Sequence, residues 1–410
     1  MEPTTSHSAG PAPAPPVAPL IEVGWVLAGS ISKVDVRAVQ QARLRMLRFL
    51  REQFPAFMWR MPVVRRRELE QTGKAEPVVL LDVGVAERDT RRWDYALVVT
   101  EAELQSYYKP FALGAPSQTL SVAVLSTARL DPAATLEDVD DAERRETMAR
   151  RVLALALHLF GHLNDLDHRD DPADVMFNPD TAQDLDAPKA FAEEDHRRLE
   201  AELKETADVR LEELGTYRGH ALRFYLRAMW RRRDDILSAV GETRPWLFPL
   251  RFSRLTTAAM STLLILTITA EAWDLGMSQI PAVVLMLSLA ALAGTSLYIL
   301  KRQQLLVRRR LRRLSEQRVV GNVAIVLAVA LGMMTTYVLL FAVTLTVSQV
   351  FFSAALVQTW AASVGGTIHF GHYLVLAGFV ASLGLLIGAL GASFEAQGYF
   401  RHVAYVDEET

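Results

Sequence analysis

The chain has 410 residues, 44 Lys and Arg against 47 Asp and Glu, and no cysteine. That length suits two or three domains. The missing cysteine excludes disulfides, thiolate metal ligands and a thiol nucleophile. Acidic residues outnumber basic ones up to residue 250, and the balance reverses beyond it. The acidic first part argues against nucleic acid as a partner. The second part is apolar enough to read as membrane-spanning.

Residues 1–20 are rich in Pro and Ala and uncharged after Glu2. They have neither a basic start nor a long apolar run, so they read as a disordered tail, not a signal peptide. Residues 21–182 alternate short apolar runs with helical patterns. The runs 23–28, 57–64, 78–85, 95–100 and 120–126 suit strands, and 36–54 has the spacing of an amphipathic helix. Residues 140–163 read as a second helix. Its acidic start (DDAERRE) matches the helix dipole.

That helix ends in HLFGHLNDLDH. His158 and His162 lie four apart, on one helix face. His168 must return to them from beyond the helix end, across a sharp turn. Three imidazoles leave a tetrahedral zinc one open position, the catalytic rather than the structural arrangement.

This segment resembles the metzincin metalloproteases, whose motif HExxHxxGxxH is followed by a Met-turn. The three histidines match its first, fifth and eleventh positions. Asp171-Pro172, Met176-Phe177 and Pro179 are similar to the matrixin version of the turn. VAVLSTARLDP (122–132) is similar to the strand and turn before the zinc helix in archaemetzincins, whose cysteine-bound second zinc this chain cannot build. The resemblance, over residues 158–179, implies an α+β metzincin-like (zincin) domain, a Zn2+ held by His158, His162 and His168, and Met176 as the floor beneath it. It also implies an edge strand onto which a peptide substrate adds.

Two positions depart from the pattern. The motif's glycine is Asp165, and Asp tolerates positive φ better than most residues. The motif's glutamate is Leu159, which can neither polarise water nor protonate a leaving amine. Losing such a group costs roughly 10²–10⁴ in rate. Asp165 and Asp167 are the acids nearest in sequence, and the catalytic residue stays unassigned. Two functions remain open: a membrane-anchored, degenerate metallopeptidase acting on peptide bonds, or a pseudoprotease that binds peptides or regulates without cutting.

Residues 183–250 read as charged and juxtamembrane amphipathic helices. The stretch 187–214 is a solvated helix, with His196 and His220 at the surface. Around 220–239, Arg223, Arg227, Arg231, Arg232 and Arg233 sit beside Phe224, Tyr225 and Trp230, which suits a membrane surface. Residues 251–410 read as an all-α transmembrane domain of about four spans, 255–273, 280–300, 319–341 and 373–392, with a fifth inside 342–363 left open. No charged residue occurs from Val319 to Phe394. The basic loop 301–318 belongs in the cytoplasm, and with four spans the zinc domain and the C-terminal residues join it there. Gly384, Gly388 and Gly391 predict close helix packing, and Asn322, Thr335, Thr336 and Thr344 interhelical hydrogen bonds. His369 and His372 are a weaker candidate metal pair. The expected partners are the lipid bilayer and a peptide or protein substrate.

Overall fold

A computed structural model of the chain describes residues 18–69, 73–132, 140–187, 189–207, 221–306, 316–393 and 397–410. Residues 1–17 of the Pro/Ala-rich stretch, the charged segment 208–220 with His220, and 307–315 of the basic loop lie outside the described residues.

The first part runs β1 (Leu20–Ala28), α1 (Lys33–Gln53), β2 (Met58–Arg60), β3 (Val63–Arg66), α2 (Pro77–Arg91), β4 (Tyr95–Thr100), β5 (Gly114–Ser117), β6 (Val122–Ser126), α3 (Asp141–His162) and α4 (Glu193–Thr206). The sheet order is β2-β1-β4-β6-β5, with β3 also pairing β1. All pairs are parallel except β5–β6, so β5 is an antiparallel edge strand. Every residue of β4 and β6 is buried, as expected for a sheet covered on both faces. α1 and α3 cover one face through Ala42, Met46, Leu155 and Leu159, and α2 covers the other.

The expected strand at 78–85 is therefore a correction: it is α2, a helix. Its β-branched run imitates a strand, but Pro77 presets the first turn. Val78, Leu81, Val85 and Arg88 recur at helical spacing and are all buried. Gly84 lets this helix press on the sheet, since a Cβ there would stand 2.4 Å from Val122 Cγ1. The expected strand 57–64 splits into β2 and β3. The run 120–126 shortens to β6, because Ser121 adopts φ 49°.

The second part runs α5 (Ala221–Arg231), α6 (Arg233–Glu242), a 3-10 turn (Pro245–Leu247), α7 (Phe248–Arg251), α8 (Ser253–Thr267), α9 (Ala270–Met277), α10 (Pro281–Arg302), α11 (Glu316–Val350), α12 (Ala354–Trp360), α13 (Phe370–Ala392) and α14 (Gln397–Tyr405). Among the described residues, α10, α11 from Val319, and α13 are long and apolar enough to cross a membrane; α8 and α9 add a fourth only as a pair bent by 89°. The expected first span is thus broken, not continuous. Trp273 fixes the break by donating its indole N–H to Thr267 O at 2.9 Å. The third helix is longer than expected, reaching Val350, and the short α12 stands where a fifth span was left open.

α8 packs along α13 at the expected glycines. A Cβ on Gly388 would lie 2.9 Å from Ala259 Cβ and 3.0 Å from Leu255 O. The threonines are a correction: Thr335, Thr336 and Thr344 donate to carbonyls four residues back in their own helix. The interhelical cluster is instead Ser288, Tyr337 and Ser382. Arg401 of α14 pairs with Asp82 of α2 at 2.7 Å, tying the far end of the chain to the α/β domain.

Candidate metal centre

α3 carries the first two histidines on one face, one turn apart. His158 is buried, and its Nδ1 lies 2.8 Å from Val175 O. A carbonyl only accepts, so Nδ1 carries the proton and Nε2 is left with a free lone pair. Burial pushes the His158 pKa down to about 4 and holds His162 well below its ordinary value. Both are therefore neutral near pH 7, the state a metal requires.

The chain then turns back as the sequence predicts. Asp165, at the place of the motif's glycine, adopts φ 59°. Leu166 N–H donates to Gly161 O at 3.2 Å, closing the helix end. Asn164 secures the turn from inside: its amide donates to Phe160 O at 2.7 Å, and its Oδ1 accepts from Tyr95 OH at 2.6 Å.

This return brings His168 Nε2 to 3.1 Å from His162 Nε2, which is 3.1 Å from His158 Nε2. The three ligand nitrogens all lie within 4.8 Å of one another. Nitrogens ~2.1 Å from a tetrahedral zinc stand ~3.4 Å apart, so the cluster fits Zn2+. Among the described residues it is the one group of three or more His, Asp or Glu placed to hold a metal.

Met176 packs against Gly161 of the histidine helix. It is fully buried, and a Cβ on Gly161 would stand 2.2 Å from its Sδ. Its own turn is held by Met176 N–H donating to Asp174 Oδ1 at 2.7 Å and by Arg169 N–H donating to Met176 O at 3.0 Å. Leu159 points elsewhere, into the core, where its methyls close on Gly114 of β5.

The two aspartates singled out in the sequence do not join the cluster. Asp165 Oδ1 accepts from Ser238 Oγ at 2.8 Å, and Asp167 pairs with Arg198 of α4 at 3.3 Å. His196 stacks on Phe54 with ring centroids 4.4 Å apart. His369 and His372 serve the start of α13, where His369 N–H donates to His372 Nδ1 at 3.0 Å.

The carboxylate that does reach the site was missed in the sequence. Glu408 Oε1 lies 3.0 Å from His168 Nε2. Its neighbour Glu409 is buried in a loop before β5. There it accepts from Ser106 Oγ (2.6 Å) and from the N–H groups of Tyr107 (2.6 Å), Tyr108 (2.9 Å) and Lys109 (3.1 Å). Burial alone would raise the Glu409 pKa, but hydrogen bonds from His402, Ser106 and the N–H groups of Tyr107 and Tyr108 pull it down to about 2. The only sequence signal is an acidic triplet, Asp407-Glu408-Glu409, after the last long helix, and no spacing rule ties it to the histidines.

No protein-family model matches the sequence, and no curated protein does. Among solved structures, an archaemetzincin from Methanopyrus kandleri is 21% identical with a TM-score of 0.33, the match covering 45% of this chain and 96% of that one. A zinc-dependent peptidase from Methanocorpusculum labreanum is 18% identical with a TM-score of 0.33, covering 43% and 99%. An archaemetzincin from Archaeoglobus fulgidus, complexed with malonate, is 16% identical with a TM-score of 0.29, covering 43% and 99%.

Proposed function

We propose that the chain is a membrane-anchored, metzincin-like zinc protein whose cleft is a degenerate metallopeptidase site. The observation that carries this reading is the convergence of three Nε2 atoms, with the His158 tautomer set by Val175. His158, His162 and His168 are the zinc ligands, and Met176 is the floor of a Met-turn under them. A bound zinc supplies Lewis-acid polarisation of a substrate carbonyl. The chain's own part is to orient the imidazoles and to offer β5 as the edge that takes an extended peptide.

Leu159 stands where the family keeps its glutamate. Nothing at that position can move a proton, so cleavage runs roughly 10²–10⁴ below a glutamate-bearing site. The close fit of Leu159 on Gly114 favours a second reading, a module that holds peptides without cutting them. The helices α8–α9, α10, α11 and α13 form the anchor. Leu264, Ile265, Leu285, Met286, Leu297 and Leu390 are each more than half exposed, as lipid-facing side chains would be. Four crossings put the α/β domain and α14 on one side, and the basic loop 301–318 marks that side as cytoplasmic.

The test is elemental analysis of the purified full-length protein beside His162→Ala. About one zinc per chain, lost in the variant, is expected for a three-histidine site. A folded wild type without zinc would sink the reading. Leu159→Glu then separates the two functions: a gain in hydrolysis of a general peptide substrate supports the degenerate peptidase, and none in a folded, zinc-loaded variant supports the binding module.

A further inference from the structure

The free edge of β5 is already taken by this chain. Leu113 and Gly114 N–H donate to Thr410 O at 2.6 and 3.2 Å, and Thr410 N–H donates back to Gly114 O at 3.1 Å. Asp407 N–H donates to Pro116 O at 3.1 Å, and Asp407 Oδ2 accepts from Gln118 N–H at 2.5 Å. Tail numbers rise as β5 numbers fall, so the segment lies antiparallel to the strand. Glu408 faces His168, and Glu409 turns away from it to fill the loop of Ser106 and three consecutive N–H groups.

Any closing segment must lie somewhere, and packing on a sheet edge is common. Two features go beyond packing. Both glutamates meet receivers built for a carboxylate, one of imidazole and one of backbone N–H groups. Glu408 also reaches the outermost of the three histidines, at 3.0 Å from His168 Nε2, although its carboxylate lies outside the group whose nitrogens stand within 4.8 Å of one another. Donor atoms around one tetrahedral zinc have edges of ~3.3 Å, so Glu408 would change rotamer, pivoting beside His168, to fill the fourth corner.

We propose that residues 407–410 are the resident peptide ligand of the cleft, with Glu408 as the fourth ligand of the metal, and that the cleft selects acidic extended segments. The proposal rests on the three-histidine zinc reading above. Tethering sets its strength. α14 is held by Arg401 on Asp82 and by Tyr405, whose hydroxyl donates to Leu305 O, so the tail stays beside the cleft. An attached segment competes at an effective concentration on the order of millimolar. An incoming peptide must exceed that, or the junction of α14 with α2 must open.

The experiment uses zinc-loaded full-length protein, wild type and Glu408→Gln. Glutamine keeps the shape, and the Glu408 side chain is about a third exposed (32%), so the fold is kept. X-ray absorption at the zinc edge reads the ligand set. Binding of a labelled Val-Asp-Glu-Glu-Thr peptide reads access to the cleft. Wild type should show three imidazoles and a carboxylate, the variant three imidazoles and water. The peptide should bind the variant at least about tenfold tighter, and a peptide with both glutamates changed to glutamine should lose that gain. Zinc bound in both with an unchanged ligand set, or with equal peptide affinity, overturns the proposal alone. No zinc in either protein overturns the three-histidine reading with it.

Discussion

The two parts of the molecule bury polar groups in opposite ways. In the α/β domain, buried polar side chains bridge elements far apart in sequence: Asp35 to Thr127, Tyr95 to Asn164, His158 to Val175, and Arg151 to both Leu130 O and Asp186. In the helical part, hydroxyls mostly bond within their own helix. Thr262, Thr295, Thr336 and Thr344 each donate to a carbonyl four residues back. A long-range polar bridge fixes where a group points, whereas a local one only hides it. Three imidazoles can be aimed at one point in the first part for that reason. The second part holds its shape by close helix contact.

If that contrast is right, the helical part breaks by crowding and the domain by unpairing. The largest effect should come from Gly388→Leu. Even a Cβ there is tight against Ala259 and Leu255, so the larger side chain must part α8 from α13. Overpacking of this kind costs about 3 kcal/mol. Thermal unfolding in detergent would show it, and a variant as stable as wild type would mean that α8 does not lie on α13. Next is Asn164→Leu, which leaves the Phe160 carbonyl without its side-chain partner and takes one of two from Tyr95 OH; the other is Thr206. A cost of about 2 kcal/mol is expected. Because Asn164 backs the turn to His168, zinc affinity should fall with it, by roughly 10-fold. Chelator competition checks this, and an unchanged affinity would detach the turn from the site.

Those same contrasts explain what the sequence could and could not reveal. The histidine helix and its return were legible because they rest on local spacing: four residues for one helix turn, then a residue able to take positive φ. Asp165 does take it. Most of the sheet was legible from runs of apolar residues. α2 was not, because Val78, Val79, Val83 and Val85 carry a strand's composition and only burial reveals the helical period. The break between α8 and α9 depends on Trp273 reaching back to Thr267, a contact that hydropathy does not register. Glu408 was least legible, since its place depends on how the whole helical part returns to the domain.

Smaller tests sharpen the comparison. Burial pushes the Glu87 carboxyl up, but hydrogen bonds from Arg66 and Arg91 outweigh it and hold its pKa below the ordinary value. The stabilisation is therefore present above the unfolded carboxyl pKa of ~4.3 and is lost as pH falls through the lower folded one. Glu87→Gln should lower stability at neutral pH and flatten its decline in acid. A parallel decline in both proteins would show that the Arg66 and Arg91 contacts do not matter.

The smallest effect separates the two kinds of hydroxyl in the helical part. Ser288 Oγ donates to Val284 O of its own helix at 2.8 Å but also lies 2.9 Å from Tyr337 OH and 3.0 Å from Ser382 Oγ, joining α10 to α11 and α13. Thr344 serves only its own helix. Interhelical hydrogen bonds in membrane proteins average about 0.6 kcal/mol. Ser288→Ala should cost roughly that, and Thr344→Val, which keeps the shape, should cost less. Unfolding of both variants in one detergent decides the order. Were Thr344→Val the worse of the two, local bonding would carry more of this part than close contact does, and the contrast with the α/β domain would need to be redrawn.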